Sequence, residues 1–147
     1  MLEIAPAAEM DEPRALFLEY AHHIGINLDF QNFDEEVATL PADYDPIFLA
    51  RCDGELAGCV ALRPLGDGLC EMKRMWVRPQ FRGRGVGRAL ALRIIEEARA
   101  RGFRAMRLDS LPSMQSAIGL YLELGFTDIS PYRYNPIAGA RFLELTL

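Results

Sequence analysis

The sequence predicts one mixed α/β domain, and three observations carry that prediction. Short apolar runs bounded by turn residues alternate with longer stretches whose apolar residues recur at helical spacing. An Asp-Gly pair sits between two apolar runs, a β-hairpin signature. The 147 residues, half of them hydrophobic and a quarter charged, are enough for one buried core and contain no repeat, linker or low-complexity tract.

The elements follow in chain order. Leu2–Ala5 is a short apolar run before a proline and reads as an edge strand. From Glu9 to Ile24, Ala15, Leu16, Leu18, Tyr20, Ala21 and Ile24 hold helical spacing, with Pro13 near the start and Gly25 as the stop. Leu28 to Leu40 is less regular and is expected to hold a second short helix. Ile47–Cys52, the turn Asp53-Gly54 and Glu55–Leu62 form the hairpin. Gly66-Asp67-Gly68 is a second turn, so Leu69–Val77 completes a three-strand meander. The period then changes: Val86, Leu90, Ile94, Ile95 and Ala98 stripe a helix that ends near Gly102. Phe103–Asp109 is a strand. Ser113–Leu124 is a helix with Ser113 as the expected N-cap and Gly125 at its end. Phe126–Ile129 and Arg141–Leu147 are the last strands.

Composition narrows the function. No apolar run approaches the roughly 20 residues that cross a bilayer, and the N-terminal stretch lacks the basic start and apolar run of a secretory signal. Cys52, Cys59 and Cys70 have no metal-ligand spacing and are expected as free, buried thiols. Together these predict a cytoplasmic protein with no membrane partner and no metal. A formal net charge of −5 argues against a nucleic-acid partner. Yet no acid lies between Glu71 and Glu96, an interval with seven of the sixteen basic residues; −5 less those seven leaves −12 on the remainder. One basic segment in an acidic chain suits a polyanionic small ligand, or else a solvated helix face.

That segment holds Arg82-Gly83-Arg84-Gly85-Val86-Gly87, directly after a strand and directly before a helix. Glycines there let the backbone approach a ligand, and the first N–H groups of a helix have no partner within it, so a phosphate fits. Neither the P-loop lysine nor the Gly-x-Gly-x-x-Gly spacing of dinucleotide folds is present. The hexapeptide resembles the Arg/Gln-x-x-Gly-x-Gly/Ala signature of the GCN5-related N-acetyltransferases, the GNAT superfamily. Met75-Trp76-Val77-Arg78-Pro79 resembles that family's strand exit, and Ala117-Ile118-Gly119-Leu120-Tyr121-Leu122-Glu123-Leu124-Gly125-Phe126 is similar to its second motif. The likeness is close over Glu71–Ile129; upstream it extends only to the order of elements.

The resemblance implies a mostly antiparallel sheet of six to seven strands, splayed between strands 4 and 5 and flanked by about four helices, with acetyl-CoA as cosubstrate. The main chain of Met75, Trp76 and Val77 would pair with the pantetheine arm, and an N–H near Val77 would polarise the thioester carbonyl. The pyrophosphate would lie on the N–H groups of about Arg84 to Arg88, with Gly83, Gly85, Val86 and Gly87 as residues of the cofactor loop. Arg82 and Arg88 are the candidate phosphate-binding side chains, each alternatively a solvated charge. Tyr121 matches the family's proton-donating tyrosine. Relatives carry an asparagine where this chain has Met114, so Ser113, Gln115 or Ser116 would supply that contact. Glu71 is the candidate general base, with a pKa raised by apolar neighbours, unless it simply pairs with Lys73. His22 and His23, far from the motifs, are expected to be structural. Tyr20, Phe30, Phe33, Tyr132 and Tyr134, with Asp29, Asp34 and Glu35, are candidates to meet a cationic amine, or else form a packed lid. Three functions follow: a small-molecule amine acetyltransferase, a protein N-terminus or lysine acetyltransferase, and a non-catalytic acyl-CoA-binding module. A homodimer is left open.

Overall fold

The computed structural model describes residues 1–25 and 32–147. The elements are β1 (Leu2–Pro6), α1 (Asp11–Ile24), α2 (Phe33–Ala38), β2 (Ile47–Cys52), β3 (Glu55–Gly66), β4 (Leu69–Val77), α3 (Val86–Ala100), β5 (Ala105–Ser110), α4 (Gln115–Glu123), β6 (Thr127–Ile129) and β7 (Arg141–Thr146), with a 3-10 turn at Pro79–Phe81. Seven strands form one sheet in the order β1-β2-β3-β4-β5-β7-β6, antiparallel except for the β4–β5 pair. No helix among the described residues is long and apolar enough to cross a membrane.

Local chemistry explains most boundaries. Asp53 (φ 51°) and Gly54 (φ 85°) both take the left-handed conformation, which a two-residue hairpin of the Asp-Gly kind demands. Helix α1 opens with Asp11 and Glu12 against its N-terminal partial charge and closes on Gly25, whose N–H reaches Ala21 O. Helix α4 begins later than expected: Met114, not Ser113, is its N-cap, and no side chain caps it.

The sheet is buried on both faces. Along β2 and β3, Phe48, Ala50, Val60 and Leu62 face α3 with Leu90, Ile94 and Ile95, while Leu49, Cys59 and Ala61 face α1 and α2 with Leu16, Phe17 and Phe33. Alternate residues therefore serve two cores, which is why these strands read as unbroken apolar runs. Cys52, Cys59 and Cys70 are free and buried.

Two irregularities in β4 position the site. First, β4 pairs with β5 only through Leu69–Ala105, Cys70–Met106 and Glu71–Arg107, although both strands continue. The edge of β4 from Met72 to Val77 is therefore left unpaired toward β5. Second, the β3–β4 register runs Cys59↔Trp76 and then Ala61↔Lys73, so β4 carries one extra residue there. That β-bulge centres on Arg74, a non-glycine residue at φ 59°.

Candidate active site

A cleft of about 550 Å³ opens where β4 parts from β5. It is bounded by Met75, Trp76 and Val77 of β4, the loop 81–87, and Ser113–Ala117 with Leu120 and Tyr121 around α4. The volume lies within the range of small-molecule and cofactor sites. At one end, Gly83 and Gly85 both hold φ 76°, a conformation that side chains resist, and α3 starts at Val86 with no capping side chain. The N–H groups there have the geometry of an anion site. At the other end stands the ring of Tyr121, 4 % exposed and packed against Phe126 at 5.7 Å. Burial raises the Tyr121 pKa, so the phenol keeps its proton at neutral pH. An unpaired strand edge, an uncapped helix start and open glycine turns together fit an extended ligand with a phosphate at one end.

The structure gathers most of the expected cofactor residues, with distinctions. Met75, Trp76, Val77, Arg82, Gly83, Gly85, Val86, Gly87 and Ser116 line the cleft. Val86 itself is core, 2 % exposed, so only its main chain can serve a ligand. Arg82 lies over the Trp76 ring at 5.1 Å and donates from Nε to Val77 O at 3.3 Å. Arg84 lies over Phe81 at 5.5 Å, and Arg88 pairs with Glu123 at 3.2 Å; neither lines the cleft. Ser113 and Gln115 do line it.

Several expectations are corrected. Glu71 is fully buried and locked: Arg63 Nε donates to it at 2.8 Å, Tyr132 OH at 2.6 Å, and Arg133 forms a close ion pair. Burial pushes its pKa up, but Lys73, Arg133 and Arg63 outweigh burial and hold it below the usual range. The raised pKa expected of a base is absent, and Glu71 lines neither cavity of the site. Tyr132 is the residue that seals Glu71, so it too stands outside both cavities. Phe33 is core, 6 % exposed, and Tyr134 is 78 % exposed and lines neither cavity. Tyr20 does line both cavities, whereas Phe30 and Asp29 lie outside the described residues. His23 reaches the cleft after all, its ring 4.9 Å from that of Trp76.

Nothing in the residue pattern pointed to the ion pair behind the bulge. Arg74, 3 % exposed, donates from Nε and Nη2 to the Glu36 carboxylate at 2.8 and 2.9 Å, and Tyr44 OH donates to the same carboxylate at 2.8 Å. Tyr20 and Phe33 present their rings to the guanidinium at 5.6 and 5.1 Å. Helix α2 thus grips the strained residue of the catalytic-face strand. A second, smaller cavity adjoins this point and is lined by Lys73, Asp109, Ser110 and Asn135 together with Tyr20 and Tyr121. Among the described residues, no group of His, Cys, Asp or Glu is arranged to hold a metal.

Comparison with known proteins agrees with this architecture. The profile of the acetyltransferase (GNAT) family matches residues 8–126. An uncharacterized N-acetyltransferase of Schizosaccharomyces pombe is 37 % identical over 145 residues, covering 95 % of this chain and 89 % of its own. An IAA acetyltransferase of Azospirillum brasilense is 39 % identical over 101 residues, 67 % of this chain and 66 % of its own. The crystal structure of a GNAT-family acetyltransferase from Staphylococcus aureus superposes with a TM-score of 0.81 at 18 % identity, covering 99 % of both chains, which is a likeness of fold. With the splayed sheet, the glycine loop and the Tyr121 helix in place, the chain belongs to the acetyltransferase (GNAT) family and is an N-acetyltransferase by kind.

Proposed function

We propose that the protein transfers an acetyl group from acetyl-CoA to a primary amine of a small molecule by direct attack. One observation carries this: the unpaired edge of β4, the uncapped start of α3 and the Tyr121 phenol lie along a single cleft. The pyrophosphate of acetyl-CoA would rest on the N–H groups of Gly83–Arg88, with Arg82 the nearest cation. The pantetheine arm would run along Met75–Val77 as an added strand, and an N–H of that edge would stabilise the developing oxyanion. The amine, once its ammonium proton has passed to water, forms the N–C bond as the C–S bond breaks. Tyr121 gives its proton to the departing thiolate and recovers one from the nitrogen that has just been acylated. The inner cavity beyond Tyr121 measures only about 40 Å³, which supports a small acceptor group over an open peptide groove.

Thiol release from acetyl-CoA with a panel of amines and peptides tests the proposal. Tyr121→Phe should lower kcat roughly 10²- to 10⁴-fold while the acetyl-CoA KM stays near its original value; an unchanged kcat would remove Tyr121 from the chemistry. Gly85→Asp strains the left-handed turn by about 1–2 kcal/mol, a loss the fold survives, and sets a negative charge against the phosphates, so calorimetric CoA binding should vanish.

A further inference from the structure

The small cavity between the diverging ends of β4 and β5 contains two groups whose hydrogen bonding within the chain is incomplete. Ser110 is 5 % exposed, and among the described residues its hydroxyl is the buried side-chain polar atom left without a partner. Asp109, its side chain 6 % exposed, has Asn135 Nδ2 at 3.3 Å on Oδ2 and Lys73 Nζ at 3.9 Å from Oδ1. An ionised carboxylate offers about four acceptor positions, and neither of these contacts is short. Buried polar groups are rarely left so poorly satisfied unless a ligand or water completes them. The missing partner must donate hydrogen bonds and be small, which a water does, and beside the Asp109 carboxylate it gains by carrying positive charge.

An ammonium group has all three properties. Asp109 and Ser110, consecutive on β5 and so directed to opposite sides of the strand, both border the cavity where the strand ends, one on each side of a group held in it. A water needs about 10–15 Å³ of such space, so a cavity of about 40 Å³ takes roughly three water-sized groups, a nitrogen and one or two methylenes. The charges permit it, because Arg74 is neutralised by the bidentate Glu36. Lys73 is the competing cation; burial and then Arg74 push its pKa down to about 7, so it can shed its charge as a second cation enters. Tyr121 and Met75 line the same cavity, which sets the held nitrogen beside the phenol and the cofactor strand.

Resting on the proposed acetyl transfer to amines, we propose that Asp109 and Ser110 form the ammonium-holding end of the acceptor site. The site admits a primary amine on an unbranched carbon, the group –CH₂–NH₃⁺, and rejects α-branched amines such as a peptide N-terminus. The donor of that group is a free alkylamine or a lysine side chain, and the assay separates the two sources.

Steady-state kinetics would compare n-butylamine, its branched isomer 2-aminobutane, an Nα-blocked lysine peptide and a peptide with a free N-terminal alanine. Wild type should favour n-butylamine over 2-aminobutane by at least about 100-fold in kcat/KM, and should leave the N-terminal amine unmodified. Turnover of the lysine peptide would extend the acceptor to proteins, whereas its refusal would restrict it to free amines; either agrees with the subsite. Asp109→Asn should lose about 100-fold in amine kcat/KM, and Ser110→Ala about 10-fold, seen as a raised amine KM at constant acetyl-CoA KM. Ser110→Thr, which keeps the hydroxyl and fills the cavity, should exclude n-butylamine while calorimetric CoA affinity is unchanged. Equal use of the branched isomer, or unaltered amine KM in all three variants of an active enzyme, overturns the subsite and leaves acetyl transfer standing. If wild type binds CoA yet acetylates nothing in the panel, acetyl transfer to amines is itself refuted and the subsite with it.

Discussion

Replacing Glu36 by glutamine tests the link between α2 and the bulge of β4. Glutamine keeps the volume and one acceptor oxygen, but it removes the negative charge facing a guanidinium that is 3 % exposed. Burial works against the charged form of Arg74, but its hydrogen bonds to Glu36 together with the charges of Tyr44, Glu36 and Tyr20 outweigh burial; a guanidinium stays protonated with or without its partner. Glu36→Gln therefore turns two charge-assisted bonds, at 2.8 and 2.9 Å, into a buried cation facing an amide. Breaking a buried pair from one side costs about 3–5 kcal/mol. In a domain of this size 1 kcal/mol moves Tm by roughly 2–4 °C, so a fall of about 6–20 °C is expected. A second effect comes through the backbone. Arg74 holds φ 59°, a conformation costing about 1–2 kcal/mol, and the side-chain clamp offsets that strain. With the clamp loosened, the Met75–Val77 edge shifts and acetyl-CoA binds less tightly. Urea unfolding at constant m gives the stability, and calorimetry gives the affinity. The double variant Glu36→Met with Arg74→Met removes both charges and leaves only the buried Tyr44 hydroxyl without its acceptor, so it should lose about 1–3 kcal/mol, less than Glu36→Gln. A loss below about 1 kcal/mol in Glu36→Gln, or an equal loss in the double variant, would refute the clamp.

Two further outcomes are expected. A Cβ added at Gly58 would stand 2.4 Å from the Trp76 carbonyl, so Gly58→Ala should cost at least about 1–3 kcal/mol and weaken acetyl-CoA binding; Gly87→Ala meets only Val77 Cγ2 at 3.7 Å and should be sterically tolerated, as paired urea titrations would show. Lys73, set among Glu71, Arg74, Asp109 and Arg133, has a folded pKa of about 7 against an ordinary 10.5. Above about pH 7 the unfolded chain binds more protons at this residue, so stability should rise with pH by up to about 1.4 kcal/mol per unit. Below pH 7 both states are protonated and the contribution is flat, while Cys59 and Cys70, with thiol pKa values raised by burial, act in the opposite sense above about pH 8.5. Unfolding at pH 6.5, 7.5 and 8.5 should show this rise in wild type and lose it in Lys73→Met; the same slope in both would refute the low pKa.

Much of the fold was legible because its causes are local. The Asp53-Gly54 turn, the Gly25 stop of α1 and the stripe Val86–Ala98 depend on residues within one turn or one helix of each other, and each lies where the pattern put it. The loop at Gly83–Gly87 was legible for the same reason, since its glycines and the helix they open are contiguous. Ser113 failed as a cap because it lies inside the turn closed by Met114 N–H to Leu111 O, one residue before the N-cap of α4.

The sequence by itself determined that the chain is an α/β domain with a glycine loop at a helix start and a tyrosine helix in GNAT order, hence an acetyltransferase family member. Only the tertiary structure decided how the charges pair. Glu71 sits on the expected strand, yet Arg63, Arg133 and Tyr132 close around it from elsewhere in the chain and hold its pKa down where a base needs it raised. Glu36 crosses to Arg74 to brace the bulge, and the splay of β4 from β5 brings Lys73, Asp109 and Ser110 around one cavity. The physical reason is that a carboxylate's partner, and with it the pKa, is set by whichever group burial forces within a few ångströms. Sequence spacing fixes that choice along one helix or strand and leaves it open between elements.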